Sequence, residues 1–351
     1  MIETSAQLQS FLGELADAGS CAIDTEADSL HRYRESLCLV QFAVGETCEL
    51  IDPLAINDLA PLASFLASSE AWMHGADYDM TMLQRQLGIL PRAVWDTQIG
   101  ARLLGLRRFG LADLVVHYFG VTLSKSSQKA DWGKRPLSDK MVEYALNDVR
   151  YLLPMGTKIV ADLEARGRRA WFVESCEAAQ RRVLERDDAR EEPWRIQGSG
   201  KLDRKGLAFL KDLWYWRDHE AHSWDRPCFM VAPNRDLIEW SVALAAGQKV
   251  TPPHHFRADR RSRMLAAIEK ASQLDAANWP ERPRSRRRRR DPRFDQRLDA
   301  LVRQRNSSAE ANDLDPSLIA PRSALESIAA EEGSPADFLL LWQRDCLGLS
   351  S

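Results

Sequence analysis

The sequence predicts an α/β domain built on a mixed sheet, followed by all-helical units. Two observations carry this expectation. In the first half, short apolar and β-branched runs alternate with helical patterns that end in glycine. From about Ala170 onward the strand signals fade and helical periodicity takes over. At 351 residues the chain has room for two or three domains. Hydrophobic residues make up 44% and charged residues 28%, enough apolar material for more than one core.

The elements follow in order. SCAID (20–24) and LCLVQFAV (37–44) read as strands, TCELID (47–52) as a third stopped by Pro53, and AWMHGA (71–76) as a short fourth. From Asp77 to Leu87, the apolar Met80, Leu83 and Leu87 recur at helical spacing and Gly88 ends the run. VWDTQIGARLLG (94–105) and LADLVVHYFG (111–120) read as two more helices. A long helix starts after Ser138, a good N-cap with Asp139 in the first turn, and runs through Tyr144 and Asp148 to a kink or break near Pro154. A helical connector leads to the loop RIQGSGKLD (195–203). A second unit opens with Leu207, Leu210 and Trp214 at i, i+3 and i+7 and closes with RSRMLAAIEKASQL (261–274). An arginine-rich linker, PERPRSRRRRRDPR (280–293), precedes a third helical piece that starts near Phe294. The expected division is a front domain over 1–170, a connector over 171–198, a helical domain over 199–278, a linker over 279–293 and a last helical domain over 294–351.

Composition narrows the setting. The N-terminal residues are acidic and amphipathic, unlike a signal peptide. No apolar run approaches the ~20 residues that span a bilayer, so a membrane is not an expected partner. The six cysteines show no C-x-x-C spacing, which fits reduced thiols and a cytoplasmic location. Residues 1–165 carry a net charge of −8 and the remainder +5. The basic rear half could attract a polyanion, and the arginine run could add salt-sensitive phosphate attraction or serve as a solvated spacer.

Chemistry concentrates in five residues. Asp24 and Glu26, two apart on a strand, project from one face of the sheet. Tyr144 and Asp148, four apart, share a helical face. Asp79 opens another helix just after a strand end. Clustered carboxylates raise one another's pKa unless cations lie between them. Oxygen-only ligands suit Mg²⁺ or Mn²⁺, and two such ions in a carboxylate cage point to phosphodiester cleavage. LWYWRDHEAHSW (213–224) could stack on nucleic acid, but Trp214 falls on the apolar stripe of a core. His219 and His222 lack the i,i+4 spacing of a helical zinc pair.

The motifs AIDTEAD, HGADYD and YALNDVRYLLPM, with LVQFA, WDTQ and KSSQKADWGKRPLS, resemble the DEDD exonuclease superfamily and, within it, the ribonuclease D family. The resemblance covers the front half almost throughout. It implies an RNase H-like fold, two divalent ions (Mg²⁺ or Mn²⁺), and Asp24, Glu26, Asp79 and Asp148 as the metal-binding acids. Tyr144 matches the tyrosine subtype, since the place of the sister group's histidine is held by Glu143. The motif aspartate falls five residues after His74, which selects Asp79 over Asp77; Asp77 is then an N-cap. His74, Lys125 and Gln128 are expected near the nucleic acid, and Trp132 either joins them or anchors its loop in the core. Residues from about Leu202 to Ala276 resemble an HRDC domain, and the C-terminal piece resembles a second one. The implied activity is 3′→5′ exoribonuclease action that releases nucleoside 5′-monophosphates from structured RNA precursors, tRNA first. The sequence leaves the oligomeric state open, with a monomer favoured. A 3′→5′ DNA exonuclease built on the same acids is the rival reading, and an inert nucleic-acid-binding scaffold a third.

Overall fold

The four strands expected from the sequence join a fifth in one mixed sheet. A computed structural model describes residues 1–15, 18–124, 126–186, 192–282 and 293–349. Lys125 and the arginines from 284 to 290 lie outside the described residues. The strands are β1 (Ser20–Ala27), β2 (Leu37–Val44), β3 (Thr47–Ile51), β4 (Glu70–Met73) and β5 (Ala93–Asp96), in the order β3-β2-β1-β4-β5. β1, β2 and β3 pair antiparallel, whereas β4 pairs parallel with β1 and β5.

β5 corrects the sequence reading, which placed Val94–Asp96 inside a helix. Four residues are too few to show a period, and pairing with β4 decides their conformation. Asp96 then caps the helix that follows, accepting from Gln98 N at 2.8 Å.

The helices of this part are α1 (Ser5–Glu14), α2 (Ala60–Ser68), α3 (Asp77–Leu87), α4 (Thr97–Leu103), α5 (Leu111–Phe119), α6 (Asp139–Arg150), α7 (Leu152–Ala165) and α8 (Arg169–Leu184). α3 ends at Gly88, whose φ of 73° suits glycine. Ser138 caps α6 as expected, and the expected break falls at Tyr151. Pro154 then sits in the first turn of α7, where its missing N–H removes no helical bond.

Asp77 differs from its expected role. Ala76 is the N-cap of α3, without a side-chain cap bond, and Asp77 lies in the first turn, paired with Arg186 Nη2 at 2.7 Å. The turn ahead of α3 is held instead by Asp96, which accepts from Gly75 N and Ala76 N.

The sheet is covered on both faces. Ile23, Val40 and Phe42 pack with α1, α2 and α3, while Ala22 and Ala43 join α4, α5, α7 and α8. Gly156 of α7 lies against the Trp72 ring of β4; a Cβ there would stand 2.5 Å from Trp72 Cε3. The loop before α6 is tied to the sheet by Arg135, which bonds both oxygens of buried Asp52 (2.5 and 2.7 Å) and the carbonyls of Cys38 and Trp132.

Residues 28–36 and the described residues of 192–282 form a second compact unit. Its helices are α9 (Arg204–Trp224), α10 (Cys228–Val231), α11 (Asn234–Ala245) and α12 (Ala258–Ser272). Leu207, Leu210, Leu213, Leu237 and Met264 form its core, with Trp214 packed at the margin as the apolar stripe predicts. Buried Glu220 receives both Arg260 and Arg263.

The C-terminal helices are α13 (Phe294–Ala311), α14 (Pro316–Ile319), α15 (Arg322–Ala329) and α16 (Leu341–Cys346). They share the core of the sheet-bearing unit rather than standing as a third compact body. Trp342 stacks on Trp171 with centroids 4.9 Å apart, and Glu174 accepts from the first backbone N–H groups of α16. Arg168 bridges the carbonyls of Leu103 and Asn312. All six cysteines are free thiols. No helix among the described residues is long and apolar enough to cross a membrane.

Close packing at Gly156 yields a test. Gly156→Ala should destabilise the protein by about 1–3 kcal/mol, the usual cost of overpacking, measured as a lower urea midpoint at unchanged m-value.

Candidate active site

β1 carries Asp24 and Glu26 on one face, in register with Gln41 and Leu39 of β2. α6 packs across β1, β2 and β3, with Ala145 and Val149 buried. That places Tyr144 and Asp148, on the neighbouring stripe, over the two strand acids. One carboxylate oxygen from each of Asp24, Glu26 and Asp148 lies within 4.8 Å of the others. The carboxylates that the sequence left far apart therefore converge.

Asp79 joins them by a different route. β4 pairs with β1 only as far as Ala22, so the backbone beyond it has no strand partner on that edge. Asp79, on the first turn of α3, takes up the freed donor: its Oδ1 accepts from Thr25 N at 3.0 Å and Thr25 Oγ1 at 2.5 Å. Thr25, between the two strand acids, holds the third acid in place.

Electrostatics follow from crowding. Burial, then Asp79, Asp148 and Glu26, push Asp24 well above the usual carboxylate range. Burial and the charges of Asp148 and Asp79 push Glu26 up to about 9. Burial lifts Asp148 to about 7, against a hydrogen bond from Tyr144. Asp79 rises to about 6, mainly by burial, with the Thr25 bonds holding it down. None of the four forms an ion pair with Lys or Arg among the described residues. Hard oxygen donors without a basic partner fit a divalent cation. Tyr144, raised by burial and by Asp148, Glu26 and Asp24, keeps its proton. Its ring packs 6.0 Å from that of Trp132, which is 1% exposed and anchors the loop in the core.

Asp24, His74, Asp113, Gln128, Tyr144 and Asp148 line a cavity of about 370 Å³. The volume lies within the ~300–1,000 Å³ range of small-ligand pockets. His74 and Gln128, expected near the nucleic acid, line the same cavity as Asp24 and Asp148. Sequence reasoning missed Thr25, Asp96, Thr97 and Asp113. Thr25 carries a signal in lying between two acids on a strand, and Asp96 and Thr97 belong to the WDTQ segment. In the structure Asp96 clamps the turn after His74, and Thr97 Oγ1 meets His74 Nδ1 at 2.9 Å. Asp113 carried no local signal; it pairs with Arg108 at the rim of the cavity.

Comparison with known proteins agrees with this geometry. The family described as 3′-5′ exonuclease matches residues 1–164. Ribonuclease D of Escherichia coli K12 is 36% identical over 247 residues, which is 69% of this chain and 65% of that protein's own length. A solved structure of a protein from Bifidobacterium adolescentis superposes with a TM-score of 0.82 at 26% identity, covering 100% of this chain and 95% of the other. The structure of Escherichia coli RNase D, an exoribonuclease involved in structured RNA processing, gives 0.73 at 27% identity, over 99% and 98%. A mixed sheet with clustered acids and this family match define a member of the 3′-5′ exonuclease class. Within that class, the chain belongs to the ribonuclease D family.

The crowded carboxyls set a pH dependence. Each holds its proton more tightly folded than unfolded, so its contribution to stability is whole below pH ~4. That contribution is lost as the pH rises through about 6, 7 and 9 for Asp79, Asp148 and Glu26. Chelator-treated protein should therefore lose melting temperature between pH 5 and pH 9, and Mg²⁺ or Mn²⁺ should raise it most at the alkaline end. Calorimetry across that range checks this; an equal rise at every pH contradicts it.

Proposed function

We propose that the protein is a metal-dependent 3′→5′ exoribonuclease that releases nucleoside 5′-monophosphates from structured RNA precursors, tRNA precursors first. The convergence of Asp24, Glu26 and Asp148 with Tyr144 at one cavity carries the proposal. Asp24, Glu26 and Asp148 would hold one divalent ion, and Asp24 with Asp79 a second, Mg²⁺ or Mn²⁺. When bound, such ions supply a nucleophile at neutral pH and stabilise the leaving 3′-oxygen. Tyr144 donates to Asp148 and keeps its proton, which makes it an orienting group for the attacking water rather than a base. Gln128 would contact the substrate at the cavity wall, with Lys125 from the same loop. The helices of 199–278 act as an HRDC-type nucleic-acid-binding domain, and the C-terminal helices, packed on the sheet-bearing unit, as a second HRDC-like element of that unit. The protein works as a cytoplasmic monomer.

Matched 5′-labelled RNA and DNA strands, incubated with Mg²⁺ or Mn²⁺ with and without chelator, test the reading. RNA should shorten stepwise from the 3′ end and chelator should stop it. Preferential loss of DNA would promote the DNA-exonuclease reading, and loss of neither strand would favour an inert scaffold.

Single substitutions separate the roles. Tyr144→Phe should lower turnover by about 10²-fold, the order lost when a reacting group is mispositioned, while metal affinity by calorimetry stays unchanged. Asp79→Ala should abolish cleavage and Asp77→Ala should spare it; the reverse pattern would transfer the role to Asp77.

A further inference from the structure

His74 lines the same cavity as Asp24, Tyr144 and Asp148, and its ring is held from behind by a fixed relay. Nδ1 lies 2.9 Å from Thr97 Oγ1, and that hydroxyl donates to the Met73 carbonyl oxygen at 3.1 Å. A hydroxyl has one proton to give. With that proton directed at Met73, the Thr97 oxygen accepts from the ring, so Nδ1 carries the imidazole hydrogen. Nε2 is left as a bare lone pair. Burial lowers the affinity of the ring for a second proton, and the weaker opposing influence of Asp96 does not reverse this.

A bare, neutral nitrogen selects its partner by chemistry: it needs a hydrogen-bond donor. Phosphodiester oxygens are acceptors and are not held by it. Nucleobase donors differ from base to base, so a contact to them would make trimming depend on sequence. The ribose 2′-hydroxyl is a donor present on every RNA residue and missing from DNA. Resting on the nuclease reading above, we infer that His74 Nε2 accepts a hydrogen bond from a 2′-hydroxyl of the strand in the cavity and thereby selects ribose over deoxyribose. Thr97 is the positioning residue: it touches no substrate, but it fixes which ring nitrogen is bare.

The test uses full-length protein with Mn²⁺ and RNA strands that carry a single 2′-deoxyribose at the terminal or the penultimate position. Wild-type kcat/KM should fall on the order of tenfold for one of these strands, the worth of a single hydrogen bond. His74→Phe should be slower on all-ribose RNA and indifferent to that deoxy position. His74→Gln, whose amide oxygen can accept, should restore part of the discrimination. Thr97→Val should weaken it while Nε2 gains the proton. The tautomer is read directly by long-range ¹H–¹⁵N correlation on the seven histidines, with His74 assigned by its loss in the glutamine variant. An Nδ1-protonated wild-type ring is expected.

Three results overturn the inference alone, with the nuclease reading intact. One is RNA cleavage by wild type that ignores both single deoxy positions. Another is undiminished discrimination in His74→Phe. The last is an Nε2-protonated His74 in the wild type. Cleavage of no strand at all takes down both readings together.

Discussion

Mutual repulsion among carboxyl groups is the constraint on which the rest of this structure depends. Asp24, Glu26 and Asp148 present oxygens within 4.8 Å of one another, and Asp79 adds its charge to the same region. No basic side chain among the described residues pairs with any of them. Such an arrangement opposes folding unless protons or cations enter it. The scaffold around it therefore reads as the means by which four acids are kept close against their own repulsion.

That scaffold works through backbone donors and packing. β4 stops pairing with β1 after Ala22, and the N–H this leaves at Thr25 becomes the anchor for Asp79. Asp96 ends β5 and clamps the turn that bears His74. On the far side, Trp132 supports the Tyr144 ring, and Arg135 fastens the intervening loop to Asp52 and the Cys38 carbonyl. The acids sit on regular strand and helix, and short buried contacts set the elements against each other, an arrangement suited to a site that must be preorganised.

Much of the site was legible because its spacing is the spacing of secondary structure. A two-residue step on a strand and a four-residue step on a helix put Asp24 with Glu26 and Tyr144 with Asp148 before any fold was known. The helix start after Ser138 and the break before Pro154 were legible for the same local reasons. β5 was not, because four residues carry no period and the strand exists only through its pairing with β4. Asp77 looked like a cap since it opens a helix, yet the helix begins one residue earlier: Ala76 is the N-cap and Asp77 already lies in the first turn. The C-terminal helices read as a separate body behind a basic linker. Their stacking of Trp342 on Trp171 and the bridge from Arg168 to Asn312 are long-range matches that no local pattern encodes.

Diffraction from crystals soaked in Mn²⁺, recorded at the manganese edge, locates the ions against the acids. An anomalous peak bonded to carboxylate oxygens of Asp24, Glu26 and Asp148 is expected. Manganese held elsewhere, with these three side chains turned apart and unliganded, would contradict it.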